Sequence, residues 1–476
     1  MIKGLLKQVK EVNEYERTPV PQSSWKGLRN FIGMYAGEHT AGTEFVIGPL
    51  FVAHGVSAVD LLLGLLVGNF LAVLSWTFLC APIAVKERVT LYYKLEKICG
   101  RHLATIYNIV NGAMFCGLAG AMIAVSATAV GIPFGMTMPE LNDLYPNSIG
   151  WVLAVLAVGV VITVVAVLGY DKISKFANIA APWMILVFIA AAVAVLPDLG
   201  VSSFSDFWEA ANTRIWTGVP LPGQSKFTFW HVMFFAWFAN MAMHIGMSDL
   251  SVFRYAKKWE YGFASATGMF LGHYVAWVAA GVLYSVVLVA VVPQGVAVAE
   301  YLGTATDVPS PAPGPLAYNA AGIAGALCVI IAGWTTANPT IYRAGLAFQG
   351  INPKWKTWKV TLITGLVTSI LACFPALVMK LLDFVALYGL ILMPMGAVIF
   401  IDFYIVPKLG LRTDYAAQTG KSFFWAPAIT WALTLAICVV LNMAVGVEIF
   451  FLGLPGWIIA AALYIISSKV LQKKVF

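Results

Sequence analysis

Long apolar segments recur along almost the whole of this 476-residue chain. A helix needs about 20 consecutive apolar residues to cross the hydrocarbon core of a bilayer. Hydrophobic residues make up 60% of the chain and charged residues only 11%, so no polar stretch is long enough to build a soluble domain. The sequence therefore predicts an all-α integral membrane protein with twelve transmembrane helices, at residues 30–54, 58–84, 104–131, 149–168, 176–196, 227–252, 262–293, 316–347, 357–376, 379–404, 424–444 and 447–470.

The positive charges predict the orientation of these spans. All but three of the 29 lysines and arginines fall on one side of the predicted membrane, and the exceptions are Arg214, Lys226 and Lys380. Cytoplasmic loops carry the excess of Lys and Arg, so we expect a multi-pass protein of the plasma (inner) membrane with both termini in the cytoplasm. The net charge of +7 then reflects topology, and nucleic-acid binding is not expected.

Two predicted spans, the first and the sixth, are interrupted by polar residues and glycine. Span one contains residues 37–44 (GEHTAGTE), and span six contains residues 240–249 (NMAMHIGMSD). Transporters built from inverted repeats place a broken helix at corresponding positions of both halves, with the substrate between them. Spans one and six correspond if the repeat is five helices long. We therefore expect a cytoplasmic segment at 1–29, a ten-helix core at 30–404, and two C-terminal helices with a tail at 405–476.

Span eight places hydroxyl and amide groups at membrane depth, in residues 334–350 (WTTANPTIYRAGLAFQG). Lipid offers such groups no hydrogen-bond partner. Thr335 and Thr336 either bond to carbonyl groups of their own helix or supply oxygen ligands to Na⁺, a hard cation. Asn338 follows within one turn and could contact a substrate.

Two carboxylates in span one are also expensive to bury, because a charged side chain at the bilayer centre costs about 2.5–3.5 kcal/mol. Glu44 directly follows the predicted break at Gly42. It could carry a proton, pair with a cationic or amide-bearing ligand, or have a structural partner such as His244, His39 or a helix end. The role of Glu38 stays open, and for Asp249 we expect a local ion pair with Arg254.

In span six, Trp237 and Asn240 lie within a turn of each other beside the break. A planar aromatic ring next to an amide is suited to binding a flat heterocycle. Core packing is the alternative for any single tryptophan here. Of the six histidines, only His244 lies at this break. The chain has no His-Glu-x-x-His or Gly-x-Ser-x-Gly motif and no paired cysteine spacing, so neither an enzyme nor a metal centre of that kind is indicated.

The chain resembles the nucleobase:cation symporter-1 family, which includes cytosine, purine, allantoin and hydantoin permeases. The similarity spans nearly the whole length and is best at residues 64–69 (GLLVGN), 249–257 (DLSVFRYAK), 334–350 and 401–408 (IDFYIVPK). The resemblance implies the leucine-transporter fold, in agreement with the five-plus-five repeat. It also implies a Na⁺ site formed by the hydroxyls of Thr335 and Thr336, the Ala332 carbonyl, and the carbonyls of Ala41 and Glu44.

A substrate pocket between spans one, three, six and eight is implied as well, with Glu44, Trp237, Asn240 and Asn338 as candidates. Family members often have a tryptophan in span three that stacks on the substrate ring. Residues 111–120 (NGAMFCGLAG) contain none, so either Phe115 takes its place or the substrate is not a standard base.

These observations predict a secondary active transporter that imports a small nitrogenous compound, a nucleobase or related heterocycle, together with Na⁺. The alternative is a proton-coupled permease for a cationic or guanidine-like compound that uses Glu44. No bound cofactor is expected besides the coupling ion, Na⁺ or H⁺. We expect the partners to be the substrate and the lipid bilayer, and the transport unit to be a monomer.

Overall fold

The computed structural model of the chain describes residues 14–139, 143–376 and 381–472, with the backbone alone for residues 381–384. Residues 1–13 of the predicted N-terminal segment, Lys380, and residues 473–476 of the predicted tail lie outside the described residues. Within the described ranges the chain is helical, and β-structure is limited to two isolated bridges.

The helices are numbered here in chain order. They are α1 (Leu28–His39), α2 (Glu44–Ala53), α3 (Ala58–Ser75), α4 (Ala81–Glu87), α5 (Leu91–Cys99), α6 (Arg101–Val130), α7 (Ile149–Val167), α8 (Tyr170–Ala194), α9 (Phe204–Ala210), α10 (Phe229–Phe238), α11 (Met241–His244), α12 (Leu250–Phe253), α13 (Val275–Ala290), α14 (Val298–Leu302), α15 (Pro313–Gln349), α16 (Thr357–Leu371), α17 (Leu381–Tyr404), α18 (Tyr415–Thr419), α19 (Trp425–Val445) and α20 (Gly453–Leu471). Several begin at a serine or threonine whose hydroxyl accepts a bond from the first turn, as Ser57 does from the Asp60 amide at 3.1 Å.

This architecture is that of a multi-pass integral membrane protein. Among the described residues, nine helical segments are long and apolar enough to cross a bilayer, and three shorter apolar helices (α2, α10 and α16) lie where spans one, six and nine were predicted. The shorter lengths of α2 and α10 follow from the chain breaks beside them. The predicted all-helical membrane fold is confirmed, although the described residues do not reproduce the count of twelve full-length spans.

Both halves of the chain show the same irregularities in the same order. The first predicted span is broken between α1 and α2, and the sixth is broken on both sides of α11. The next span of each half contains π-helical turns, at Trp76–Cys80 in the second and at Thr267–Tyr274 in the seventh. Such turns distort a helix locally and are frequent at functional sites. The paired positions agree with the predicted repeat of five helices.

Helices α6 and α15, which correspond to spans three and eight, pack against each other at the centre of the molecule. Gly333 makes the close approach necessary, because a Cβ atom there would lie 1.9 Å from the Ser126 hydroxyl oxygen. The break between α1 and α2 packs against the same pair: a Cβ atom at Gly42 would lie 2.9 Å from a methyl carbon of Val125 and 3.3 Å from the Gly333 amide nitrogen. Glycine therefore lets the broken helix reach the centre of the fold.

Candidate transport site

The two chain breaks face each other across a small central cavity. Its walls come from both breaks and from α6, α13 with the π-helical turn before it, α15 and α17. Its volume is about 50 Å³, which accommodates a few water molecules but is far below the roughly 300 Å³ at which ligand pockets begin. The described conformation is thus closed around the site. Of the predicted site residues, the cavity is lined by Ala41, Glu44, Asn240 and Thr336.

Glu44 is the first residue of α2 and is buried, with 2% of its surface exposed. A carboxylate at a helix N-terminus is stabilised by the helix dipole. Its side chain accepts a hydrogen bond from the Trp277 indole N–H, and its other oxygen lies 3.6 Å from His273 Nε2. Of the structural partners considered for Glu44, the helix end is therefore present. The histidine beside the carboxylate, however, is His273 and not His244 or His39.

His273 and Trp277 were not singled out by the sequence, although both line the cavity. Their rings stack with centroids 4.3 Å apart, and the Asn240 amide nitrogen lies 3.4 Å from His273 Nε2. The two residues are four apart along the chain, which places them on one helical face. That spacing is the sequence signal that could have identified them.

Four oxygen atoms cluster where α15 meets the end of α1. The Thr336 hydroxyl donates to the Glu38 carbonyl at 2.7 Å and lies 3.1 Å from the Ala332 carbonyl, which also accepts from the Thr335 hydroxyl at 3.0 Å. Three of the four, from Ala332, Thr335 and Thr336, belong to the predicted sodium set. The fourth comes from Glu38, whereas the Ala41 carbonyl accepts from the Glu44 amide at 3.2 Å.

Four residues that were predicted near the substrate or considered for the site lie outside the cavity wall. Phe115 is one layer behind it, packed edge-on against Tyr388, with ring centroids 5.4 Å apart. Trp237 donates to the Ser75 hydroxyl at 3.0 Å and stacks on Phe238. Asn338 is buried on α15, and within the described residues neither of its amide atoms has a hydrogen-bond partner. The ring of His244 bonds to the Trp237 carbonyl at 2.9 Å.

Below the cavity, toward the end that carries the N-terminal segment, lies a buried ionic network. Arg343 on α15 binds both oxygens of Glu38 and lies 2.6 Å from Asp249. The second Asp249 oxygen accepts bonds from the Tyr35 hydroxyl at 2.6 Å and the Trp76 indole at 2.7 Å. Glu38, Arg343 and Asp249 are each at most 3% exposed. We refer to these three side chains as the central triad.

The central triad corrects two expectations from the sequence. Asp249 pairs with Arg343 and not with Arg254. The charge distribution places Arg343 with the lysines and arginines of the cytoplasmic side, yet it is fully buried within α15. It lies seven residues after Thr336, so both project from one face of the helix. That spacing was the available signal for its inward direction.

A second buried network lies beneath the central triad. The Glu14 carboxylate accepts bonds from the hydroxyls of Tyr342 at 2.6 Å and Tyr255 at 2.8 Å, and from the Tyr170 amide at 3.1 Å. Arg254 lies 3.6 Å from the same carboxylate. Residues near the start of the chain therefore close this end of the molecule.

The opposite end holds a larger recess of about 510 Å³ beside α2, lined by Val46, Pro49, Leu50 and the proline-rich segment 304–311. That segment folds back over the helices, and the Pro309 carbonyl accepts a bond from the Tyr284 hydroxyl at 2.7 Å. This contact holds the segment as a cap over that end of the molecule. The molecule is sealed by charge networks at one end and bears a recess at the other.

No protein-family model and no curated protein sequence matches this chain. Solved structures do match it. Mhp1, a nucleobase-cation-symport-1 family transporter in a closed conformation with bromovinylhydantoin bound, is 15% identical and aligns over 97% of this chain and 96% of its own, with a TM-score of 0.66. A Na⁺-coupled sialic acid symporter in a substrate-bound outward-open state is 12% identical over 94% and 91%, with a TM-score of 0.64.

A manganese transporter from Eremococcus coleocola also matches, with 14% identity over 97% of this chain and 99% of its own and a TM-score of 0.55. All of these proteins are membrane transporters, in agreement with the lack of catalytic motifs in the sequence. At such identities the likeness concerns the fold. The chain has the fold of Mhp1, the nucleobase-cation-symport-1 family transporter, over almost its entire length.

Proposed function

We propose that this protein is a secondary active transporter that imports a small nitrogenous compound, a nucleobase or related heterocycle, together with Na⁺. The observation that carries the proposal is the oxygen cluster of Ala332, Thr335, Thr336 and the Glu38 carbonyl, which joins α15 to the broken first span. Neutral hydroxyl and carbonyl oxygens at a helix break are the ligands that coupling cations use in this kind of fold. Mhp1 and the sialic acid symporter, which share the fold, support cation coupling.

The geometry also offers a reason for coupling between ion and substrate. Thr336 belongs to the oxygen cluster and lines the central cavity, so an ion and a substrate would share one wall. An ion that holds α1 against α15 would order that wall before the substrate binds. Because coupling between two sites is reciprocal, the substrate would then raise the affinity for sodium by the same factor.

The cavity wall favours a compact substrate with N–H donors. Glu44 supplies a carboxylate, Asn240 an amide, and Trp277 an aromatic ring. Glu44 and Asn240 from the predicted set remain our substrate-binding candidates, together with Phe115, Trp237 and Asn338. The last three lie outside the wall of the described closed state, so we propose that they contribute when the cavity opens.

Thermal stability of the purified protein tests the proposal. Cytosine, uracil, purines, allantoin, hydantoins and guanidinium compounds would each be added in sodium chloride and in choline chloride at matched ionic strength. We expect one class to raise the melting temperature only in sodium, since a ligand at about 100 times its Kd stabilises by about 2.7 kcal/mol. Equal stabilisation in both salts would disprove sodium coupling, and stabilisation by none of the compounds would disprove the proposed substrate class.

Proton coupling through Glu44 is the second candidate, and the contacts of Glu44 with Trp277 and His273 in the cavity wall favour it. Replacing Glu44 by glutamine keeps the shape but removes the charge. If Na⁺ is the coupling ion, we expect the variant to keep sodium-dependent binding in the melting assay, with weaker affinity for substrates that donate N–H groups. If H⁺ is the coupling ion, uptake driven by a pH gradient into proteoliposomes will be lost while binding persists without sodium.

We further propose a monomeric transport unit in the plasma (inner) membrane with both termini in the cytoplasm. The distribution of lysine and arginine supports this orientation. The end closed by Glu14 and the central triad would then face the cytoplasm, and the recess beside α2 would face outward. The division into segments 1–29, 30–404 and 405–476 stays a prediction.

A further inference from the structure

A deep apolar groove opens on the outer surface of the helix bundle, away from the candidate transport site. It runs between α6, the C-terminal end of α15 and the length of α16, and its volume is about 820 Å³. Its walls include Ala113, Phe348, Ile363 and Val367. Ile363 is 63% exposed, and Val367 is also exposed. A cavity of this size on the surface of a membrane-spanning helix meets the bilayer, so its natural contents are lipid chains.

Three lysines stand at one end of the groove. Lys354, Lys356 and Lys359 all line it, all are exposed, and Trp355 lies among them. Within the described parts of the chain, none of these lysines forms an ion pair. Glu16 lies close by, where it accepts a bond from the Thr357 hydroxyl, but it too pairs with none of them. Among the described residues, therefore, the lysines at this end of the groove have no ion-pair partner.

The dimensions of the groove match one leaflet of a bilayer. From Lys359 to Leu371 the helix rises about 18 Å, and half of the hydrocarbon core is about 15 Å. Tryptophan is enriched at the level of the lipid headgroups, which places Trp355 and the lysines at the membrane surface and Leu371 near the bilayer centre. A lipid with its phosphate at the lysines would therefore lay an acyl chain along α16.

We propose that this groove, between α6 and α16, is a binding site for an anionic phospholipid of the leaflet that meets its lysine-bearing end, which is the cytoplasmic leaflet in the predicted orientation. The lysines select the negative headgroup, and the apolar walls hold the chain. A zwitterionic lipid lacks the net charge that the three lysines would neutralise. Basic pockets between transmembrane helices on the cytoplasmic side are known to bind such headgroups.

Competition between two lipids tests this site. The purified full-length protein would be incubated in a neutral detergent with equal amounts of phosphatidylglycerol and phosphatidylcholine that have identical chains. Retained lipids would be counted by native mass spectrometry. Each lysine near an anionic surface contributes about a fivefold preference, so we expect the wild type to retain phosphatidylglycerol about tenfold or more over phosphatidylcholine. Equal retention of the two lipids would overturn the proposal.

Two sets of variants locate the site. The first is a triple variant with Lys354→Gln, Lys356→Gln and Lys359→Gln. It should reduce the preference for phosphatidylglycerol over phosphatidylcholine to near unity. The second is a charge-matched control that removes three exposed lysines elsewhere, by Lys172→Gln, Lys257→Gln and Lys258→Gln. This control should preserve the preference for phosphatidylglycerol. An equal loss in both triple variants would mean a general charge effect and would also overturn the proposal.

A further variant tests the apolar part of the groove. Ala113→Trp fills the wall opposite α16 without a change in charge, and we expect it to lower retention of both lipids several-fold. Glycerol phosphate, the soluble headgroup, should fail to displace the lipid at millimolar concentration. Displacement by glycerol phosphate, or unchanged retention in Ala113→Trp, would show a phosphate site without a lipid chain and would contradict the assignment. Melting temperatures confirm that each variant is folded.

Discussion

Replacing Arg343 by methionine is expected to remove most of the folded protein. Arg343 is the only cation of the central triad, so the change leaves the Glu38 and Asp249 carboxylates buried without their counter-charge. Removing one partner of a buried ion pair costs about 3–5 kcal/mol, a large part of the roughly 5–15 kcal/mol that stabilises a typical protein. The measurement is the yield of monodisperse protein in size-exclusion chromatography, together with the melting temperature.

Compensating changes make this prediction sharper. The triple variant adds Glu38→Gln and Asp249→Asn to Arg343→Met and so removes both unpaired charges. We expect this triple variant to recover most of the folded protein. Arg343→Lys should be intermediate, because an ammonium group cannot bind the two Glu38 oxygens as the planar guanidinium does. Arg412→Met, at an exposed position, serves as the control and should be neutral. If Arg343→Met alone were as stable as the wild type, the central triad would not be what holds the fold together.

Replacing Thr336 by valine is expected to weaken sodium binding about tenfold or more, which corresponds to about 1.4 kcal/mol or more. Valine has nearly the same shape but lacks the hydroxyl that joins α15 to the Glu38 carbonyl. The measurement is the sodium concentration that gives half of the substrate-dependent rise in melting temperature. At saturating sodium, the substrate-dependent rise in melting temperature should change much less, because the hydroxyl would act mainly through the ion.

The matched control for this substitution is Thr163→Val. Thr163 is buried in α7, and its hydroxyl donates to the Gly159 carbonyl of its own helix at 2.7 Å. The same chemical change there removes a local bond without affecting the oxygen cluster. We expect the half-saturating sodium concentration to stay at its wild-type value. A similar shift in both variants, or none in Thr336→Val, would contradict the proposed sodium site.

The sequence was sufficient for the fold because its signals are local. Apolar segments of about 20 residues define membrane helices, and the glycine and polar residues at 37–44 and 240–249 mark where two of them break. The hydroxyls of Thr335 and Thr336 were recognisable because lipid cannot satisfy them. Each of these inferences needs only a short stretch of sequence and the known properties of the lipid bilayer.

The contacts of the site could not be predicted in the same way. Trp277 reaches Glu44 across 233 positions of the chain, and Arg343 reaches Glu38 across 305. Charge counting grouped Arg343 with the cytoplasmic lysines and arginines because arginine near the end of a span is usually exposed. The neighbour in sequence, Arg254, looked like the natural partner of Asp249, but tertiary packing directs it to the N-terminal segment instead. Long-range pairing of this kind leaves no local pattern.

The composition of the central triad has a consequence for charge balance in the membrane. Two carboxylates and one guanidinium carry a formal charge of −1, and the oxygen cluster just above them is made of neutral groups. Glu38 belongs to both, with its carboxylate in the triad and its carbonyl in the cluster. A single monovalent cation bound there would make this region electroneutral, whereas an anion would double the imbalance and a divalent cation would reverse its sign.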